Sequence, residues 1–194
     1  MFINWALGEI NLKIVYYGAA LSGKTTNLQF IHARTPPHLR GQLISLKTQQ
    51  DRTLLFDFLQ LEIGKVANLK PKFKLYTVPG QVYYAASRRV ILQGTDGIVF
   101  VVDSQAGRMA DNEALWYSME RHLIELGYDF TTFPIVVQFN KRDLPDALPV
   151  SEIRRRLPIA DRPVFEASAL KGYGVFDTLK ASMNSVVAAV RHAV

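Results

Sequence analysis

Between Leu12 and Thr26 the chain reads LKIVYYGAALSGKTT, and few folds accept such a stretch. Leu12 to Tyr17 is an apolar, β-rich run of the buried-strand type. Gly18 ends it, and after Gly23 the residues Lys24, Thr25, Thr26, Asn27 and Leu28 start a helical pattern. Gly18, Gly23, Lys24 and Thr25 match the spacing G-x-x-x-x-G-K-[ST]. In that motif a strand-to-helix loop turns its backbone N–H groups onto a polyphosphate while the lysine reaches the outer phosphates. The loop makes Gly18, Ala20, Ser22, Gly23, Lys24, Thr25 and Thr26 candidate phosphate-binding residues, with the Thr25 hydroxyl placed for Mg²⁺ and the helix N-terminus adding its positive end. A chance glycine turn has the same letters but needs neither the strand before it nor the helix after it.

The periodicity downstream predicts alternating elements. A first helix runs from Lys24 to Arg34 and stops before Pro36-Pro37; a brief apolar run covers Leu43 to Leu46. Asp51 to Gly64 alternates as a strand, with Leu55, Asp57, Leu59 and Leu61 on one parity, and Phe73 to Val78 is its antiparallel partner across a turn at 64–71. Helices are expected over Tyr83–Gln93, Met109–Leu126, Ser151–Leu157 and Phe176–His192, and strands over Gly97–Asp103, Pro134–Phe139 and Val164–Ala167. Phe2 to Glu9 suits a short extra strand or hairpin. This order predicts an α/β fold: a mostly parallel sheet of about six strands with one antiparallel edge pair, helices on both faces and a short N-terminal strand, all in one domain over residues 1–194. Ligands in such sheets sit beyond the carboxyl ends of the strands.

The second signal lies in that place. Asn140-Lys141-Arg142-Asp143 directly follows the apolar strand ending at Phe139. A carboxylate is a pair of acceptors, and guanine offers a matching pair of donors on N1 and N2 where adenine offers none. Asp143 can therefore choose guanine, with Asn140 bracing the loop and the Lys141 stem lying along the base. Ser168, Ala169 and Leu170, after the last strand, stand where a third loop closes over the base. Alone each reads as an ordinary polar loop; the phosphate loop upstream gives them a common ligand.

Charge and composition narrow the function classes. The net charge of +6 comes from scattered lysines and arginines. The clusters Arg88-Arg89 and Arg154-Arg155-Arg156 lack the interleaved aromatics of a single-strand nucleic-acid platform, so no nucleic acid is expected as a partner. The absence of cysteine excludes disulfides, thiolate metal sites and thiol nucleophiles. No signal peptide, long apolar run, second-position glycine or terminal cysteine is present, so a cytoplasmic protein without a covalent lipid anchor is expected, and a monomer by itself.

With these motifs on the page, the chain resembles a Ras-superfamily small GTPase (a P-loop small G domain), with matches from Gly18 to Lys171. It is most similar to the MglA-like bacterial polarity and motility GTPases in the segments IVYYG, SGKTTNLQ, DRTLLFDFL, LYTVPGQVYY, SRRVIL, NKRDLP and GVFDTLKA. The resemblance implies a molecular switch that binds GTP or GDP with Mg²⁺ and hydrolyses GTP slowly. It makes Gly80 a reporter of the γ-phosphate, Gln81 the residue that orients the attacking water, and Arg52 an intrinsic arginine swung onto the phosphates. Thr53 becomes the switch threonine joining Thr25 on the metal. It also implies a roadblock-fold activator, an MglB-like homodimer, meeting residues 35–57 and 79–90, and recruitment to a cell pole or membrane surface through partners; Phe56, Tyr83 and Tyr84 are apolar enough for that contact and equally suited to core packing. The effectors remain open.

Two departures matter. Thr77 stands where Ras-like proteins carry a metal-organising aspartate, leaving Asp103 or no group at all to take over that task. Ala20 stands where a glycine is favoured, which slows hydrolysis and gives an activator more to do. Two other readings of the residues stay open at this point: a nucleotide-locked scaffold with negligible turnover, and a P-loop ATPase or nucleoside kinase.

Overall fold

The computed structural model describes residues 1–47, 53–66, 68–81 and 84–191. Its strands are β1 (Phe2–Asn4), β2 (Glu9–Tyr17), β3 (Ile44–Lys47), β4 (Thr53–Leu61), β5 (Lys70–Thr77), β6 (Gly97–Asp103), β7 (Ile135–Asn140) and β8 (Val164–Glu166). The helices are α1 (Lys24–Arg34), α2 (Ala85–Leu92), α3 (Met109–Glu125), α4 (Val150–Arg156) and α5 (Val175–Arg191). The sheet order is β3-β4-β5-β2-β6-β7-β8, with β1 paired to β2. From β5 to β8 every neighbouring pair is parallel, whereas β3–β4 and β4–β5 are antiparallel. The brief apolar run after the prolines is β3, so this edge extends one strand further than expected.

β2 pairs with β5 from Glu9 onward but with β6 only from Ile14. β1 fills the bare part of that edge, with Phe2 opposite Asn11 and Asn4 opposite Glu9, antiparallel. The expected N-terminal strand thus exists because β2 outruns β6.

Alternation in the central strands sorts the core into two layers. Leu12, Ile14 and Tyr16 of β2 with Val99 and Val101 of β6 pack toward α1 and α5, against Leu28, Ile31, Leu179 and Val186. Val15 and Tyr17 with Ile98, Phe100 and Val102 pack the other way, against Met109, Trp116, Met119 and Leu123 of α3 and Ile153 of α4. Every residue of β6 and β7 is buried, as a sheet covered on both faces demands. Phe100 is fully buried with its ring 4.9 Å from that of Trp116. Phe100→Ala is accordingly expected to lower the unfolding free energy by about 3–5 kcal/mol, measurable by urea denaturation.

α1 begins at Lys24 because Gly23 adopts φ 97°, and it ends at Thr35, whose extended backbone leads into two prolines. β2, β6 and β7 all end at one rim of the sheet, where the loops carrying Gly18–Gly23, Asp103 and Asn140–Asp143 lie together.

Candidate functional site

The phosphate loop is held from behind by the base loop. The Asn140 side chain donates from Nδ2 to the Ser22 carbonyl at 2.7 Å, and its Oδ1 accepts from the Ala169 N–H at 2.8 Å. One amide therefore joins the first, second and third expected loops. Gly23 must be glycine twice over: its backbone is left-handed, and a Cβ there would lie 2.2 Å from Asn140 Nδ2. Ser22 Oγ is fully buried and finds no hydrogen-bond partner among the described residues.

Lys24 is buried at 7% exposure, with Nζ donating to the Gly18 and Ala19 carbonyls at 2.9 and 2.7 Å. Burial pushes its ammonium down to about 7, with Asp57 drawing it up and Arg88 pressing it further down. Thr26 follows in the first turn of α1.

The magnesium end of the site differs from expectation. Thr25 Oγ1 donates to Asp57 Oδ2 at 2.5 Å, and Thr77 Oγ1 donates to the same oxygen at 2.8 Å. Ser45 Oγ bonds the other carboxylate oxygen, and the Asp57 N–H returns to Thr77 Oγ1 at 2.8 Å. Asp57 is fully buried and comes from β4, the strand beside β5 that carries Thr77. A buried carboxylate thus stands beside position 77 on the neighbouring strand, with Thr77 bonded to it.

Asp103, one of the two alternatives for the metal-organising task, is engaged elsewhere. Its Oδ2 accepts from Lys141 Nζ at 2.7 Å and lies 3.7 Å from Arg108 Nε, so it anchors the base loop rather than the metal end. Arg108 also donates to the Ala20 carbonyl at 2.8 Å, fastening the phosphate loop to the start of α3.

Gly80 lies directly on the phosphate loop. A Cβ there would stand 2.3 Å from the Ala20 nitrogen, so only glycine permits this approach. The buried Arg88 of α2 donates to the carbonyls of Gln81 at 2.6 Å and Pro79 at 3.4 Å, holding the loop around Gly80 and Gln81. Arg52 and Tyr83 lie outside the described residues, as does the side chain of Thr53, whose backbone opens β4.

Asp143 stands at the rim with Lys171 Nζ at 3.9 Å. A hydrogen bond from Ser168, with Lys171 and Lys141 adding positive charge, holds its carboxyl below the usual carboxylate range, so it is ionised and accepting at neutral pH. Lys141 takes a left-handed φ of 64°, which turns its side chain back to Asp103 and Gln105. Leu170 is 80% exposed beside the buried Ala169. Asp143→Asn is expected to exchange guanine preference for xanthine, whose extra carbonyl wants a donor, by roughly 1–3 kcal/mol of discrimination. Competition between GTP and XTP reads this directly, and an unchanged GTP preference would remove base selection from Asp143.

Sequence reasoning missed Asp57, Arg88 and Arg108. Asp57 had a signal: an acid among leucines on the buried parity of a strand.

The donor set fits a guanine nucleotide with Mg²⁺. Magnesium favours hard oxygen ligands and keeps few protein contacts, relying on phosphates for the rest. Thr25 and Asp57 offer such oxygens, and no cluster of three His, Cys, Asp or Glu competes for a metal among the described residues.

Comparison with known proteins agrees. Residues 2–186 match the ADP-ribosylation factor family. The mutual gliding-motility protein MglA of Myxococcus xanthus is 54% identical over 180 residues, covering 93% of this chain and 92% of that protein. ADP-ribosylation factor-like protein 4D of mouse is 33% identical over 87% of this chain and 76% of its own length, and human ADP-ribosylation factor-like protein 4A is 28% identical over 78% and 68%. Phosphate loop, guanine-matching carboxylate and family match converge: this chain belongs to the Arf family of Ras-superfamily small GTPases.

Proposed function

We propose that this chain is a GTP·Mg²⁺ switch of the MglA kind, regulating cell polarity or motility, with slow intrinsic hydrolysis accelerated by a roadblock-fold, MglB-like homodimer. The observation that carries the reading is the Asp57 carboxylate joined to both Thr25 and Thr77. It lies on the same rim as an ionised Asp143. Bound magnesium neutralises phosphate charge; Thr25 and Asp57 would hold it, with Thr53 the switch threonine. The rest falls to the chain. Lys24 holds outer phosphates, Gly80 offers its N–H to the γ-phosphate, and Gln81 orients the attacking water. Arg52 stabilises charge as it builds on the transferred group.

Because Arg88 grips the main chain at Pro79 and Gln81, the second switch can be reset by moving a backbone held at two carbonyls. The activator is proposed to meet residues 35–57 and 79–90. There Phe56 stays half-buried against Tyr76, with ring centroids 5.7 Å apart, and Tyr84 directly precedes α2. Hydrolysis then follows from the activator settling Arg52 and Gln81. Partners of this kind would also recruit the protein to a cell pole; no helix among the described residues is long and apolar enough to cross a membrane.

Two measurements test the reading. Mass identification of nucleotide carried through purification, with competition of GTP against ATP, is expected to return guanine nucleotide; ATP preference would turn the protein into a P-loop ATPase or kinase. Single-turnover phosphate release should accelerate with the roadblock partner, and Arg52→Ala should remove about 10³-fold of the stimulated rate, with Gln81→Ala a comparable loss. No acceleration and no loss in either variant identifies a scaffold.

A further inference from the structure

Beneath the site a chain of buried polar side chains crosses an otherwise apolar layer. Asn27 of α1, Gln138 of β7 and Thr178 of α5 are each 0% exposed. Asn27 Nδ2 donates to Gln138 Oε1 at 2.8 Å, and Gln138 Nε2 returns a bond to Asn27 Oδ1 at 3.0 Å. The second Asn27 proton goes to the Gly23 carbonyl at 2.9 Å, and the second Gln138 proton to Thr178 Oγ1 at 3.1 Å. Thr178 in turn donates to the Gly174 carbonyl at 2.7 Å. All donors of both amides are used.

The ends of this chain are informative. Gly23 closes the phosphate loop, and Gly174 ends the turn that begins at Ser168, whose N–H bonds the Tyr173 carbonyl at 3.0 Å. Gln138 lies on the same face of β7 as Asn140, two residues on. Leucine or valine at these positions would fill the layer without burying amides, and replacing both partners of a buried hydrogen-bonded pair by apolar groups of similar shape can be nearly neutral or stabilising. Core filling therefore does not account for the arrangement; joining the two halves of the site does.

We propose that Asn27 and Gln138 are positioning residues that fix the phosphate loop relative to the base-capping loop, so that phosphates and base engage the protein together and nucleotide leaves slowly. This rests on the guanine-nucleotide reading above. Neither side chain touches the ligand; Asn27 acts through the Gly23 carbonyl, and Gln138 through Thr178 and the Gly174 turn.

The test uses the full chain loaded with a fluorescent GDP, with melting temperature and GDP dissociation rate measured on the same samples. Asn27→Leu and Gln138→Leu each strip the remaining buried amide of one donor bond and one acceptor bond and are expected to melt lower. The double variant N27L/Q138L removes both amides and is expected to recover the parent melting temperature while releasing GDP about tenfold faster. Parent-like release from the double variant overturns the proposal and makes the pair a packing feature. Thr178→Val keeps the side-chain shape and cuts only the α5 end. It serves if the double variant does not fold: release about threefold faster supports the bridge, and an unchanged rate overturns it. Failure of the underlying reading looks different, because the parent itself would then hold no GDP.

Discussion

Asp57→Ala is expected to weaken magnesium-dependent nucleotide retention by about 10–100-fold, the usual cost of removing a carboxylate that orients a metal ligand. Asp57 accepts from Thr25, Thr77 and Ser45 at once, so its loss takes this acceptor away from three hydroxyls. The measurement is GDP dissociation against magnesium concentration, in which the parent should slow sharply as metal is added and the variant should not. Asp103→Asn is the control. Since Asp103 is bonded to Lys141 rather than to Thr25, its variant should keep the magnesium response and loosen the base loop instead. An exchange variant, D57T/T77D, moves the carboxylate to the adjacent strand, to the position whose side chain meets the same Asp57 oxygen as Thr25, and should recover part of the response. A parent-like magnesium titration for Asp57→Ala would remove Asp57 from the metal end.

The second large effect is expected at Lys24. Lys24→Ala deletes charge-assisted bonds to phosphate worth about 1.5–3 kcal/mol each, so two such contacts predict a loss of roughly 10²–10⁴-fold in nucleotide affinity. The parent should also show a pH signature. In the free protein Lys24 titrates at about 7, lowered by burial, and phosphate charge raises it in the complex. Binding therefore takes up a proton above pH 7. Affinity is greatest where Lys24 is already charged and falls as pH rises through 7, by roughly fivefold between pH 7 and 8. The nucleotide-free protein should respond in the opposite sense. Its unfolded chain binds the Lys24 proton up to the ordinary 10.5 while the folded chain has released it, so stability rises with pH across that window. Titration calorimetry in buffers of different ionisation enthalpy detects the proton uptake. An affinity flat from pH 7 to 9 would show that Lys24 stays charged without ligand.

Much of the fold was legible because its punctuation is local. Gly23 and the Thr35-Pro36-Pro37 stop bound α1 at Lys24–Arg34, as read, and the unbroken apolar run of β6 gave Gly97–Asp103 without error. β5 begins at Lys70, earlier than the expected Phe73, because Pro71 suits a turn as well as a strand edge. Its missing N–H costs nothing there: β4 pairs with β5 only from Phe73 on, so Pro71 lies beyond the antiparallel ladder. The phosphate and base loops were legible as motifs since each is a short contiguous segment. The metal-end carboxylate was not, although Asp57 stood visibly on the buried parity of its strand. Parity says that a side chain goes inward; only the pairing of β4 with β5, and the approach of α1, says that it meets Thr77 and Thr25. Arg88 and Arg108 were hidden for the same reason: an arginine that bonds distant carbonyls leaves no trace in periodicity.

The single amide of Asn140 has a consequence for how the protein is made. Its partners, Ser22 and Ala169, lie far apart in the chain, so Ser22 leaves the ribosome well before Ala169. A growing polypeptide that has emerged only as far as α4 has the phosphate loop and the Asn140 that holds Ser22, but lacks the Ala169 N–H that fixes Asn140 from its other side, and the base-capping loop with it. Nucleotide capture is therefore a late event in biogenesis, and a chain released early by a stalled ribosome should be nucleotide-poor and readily degraded.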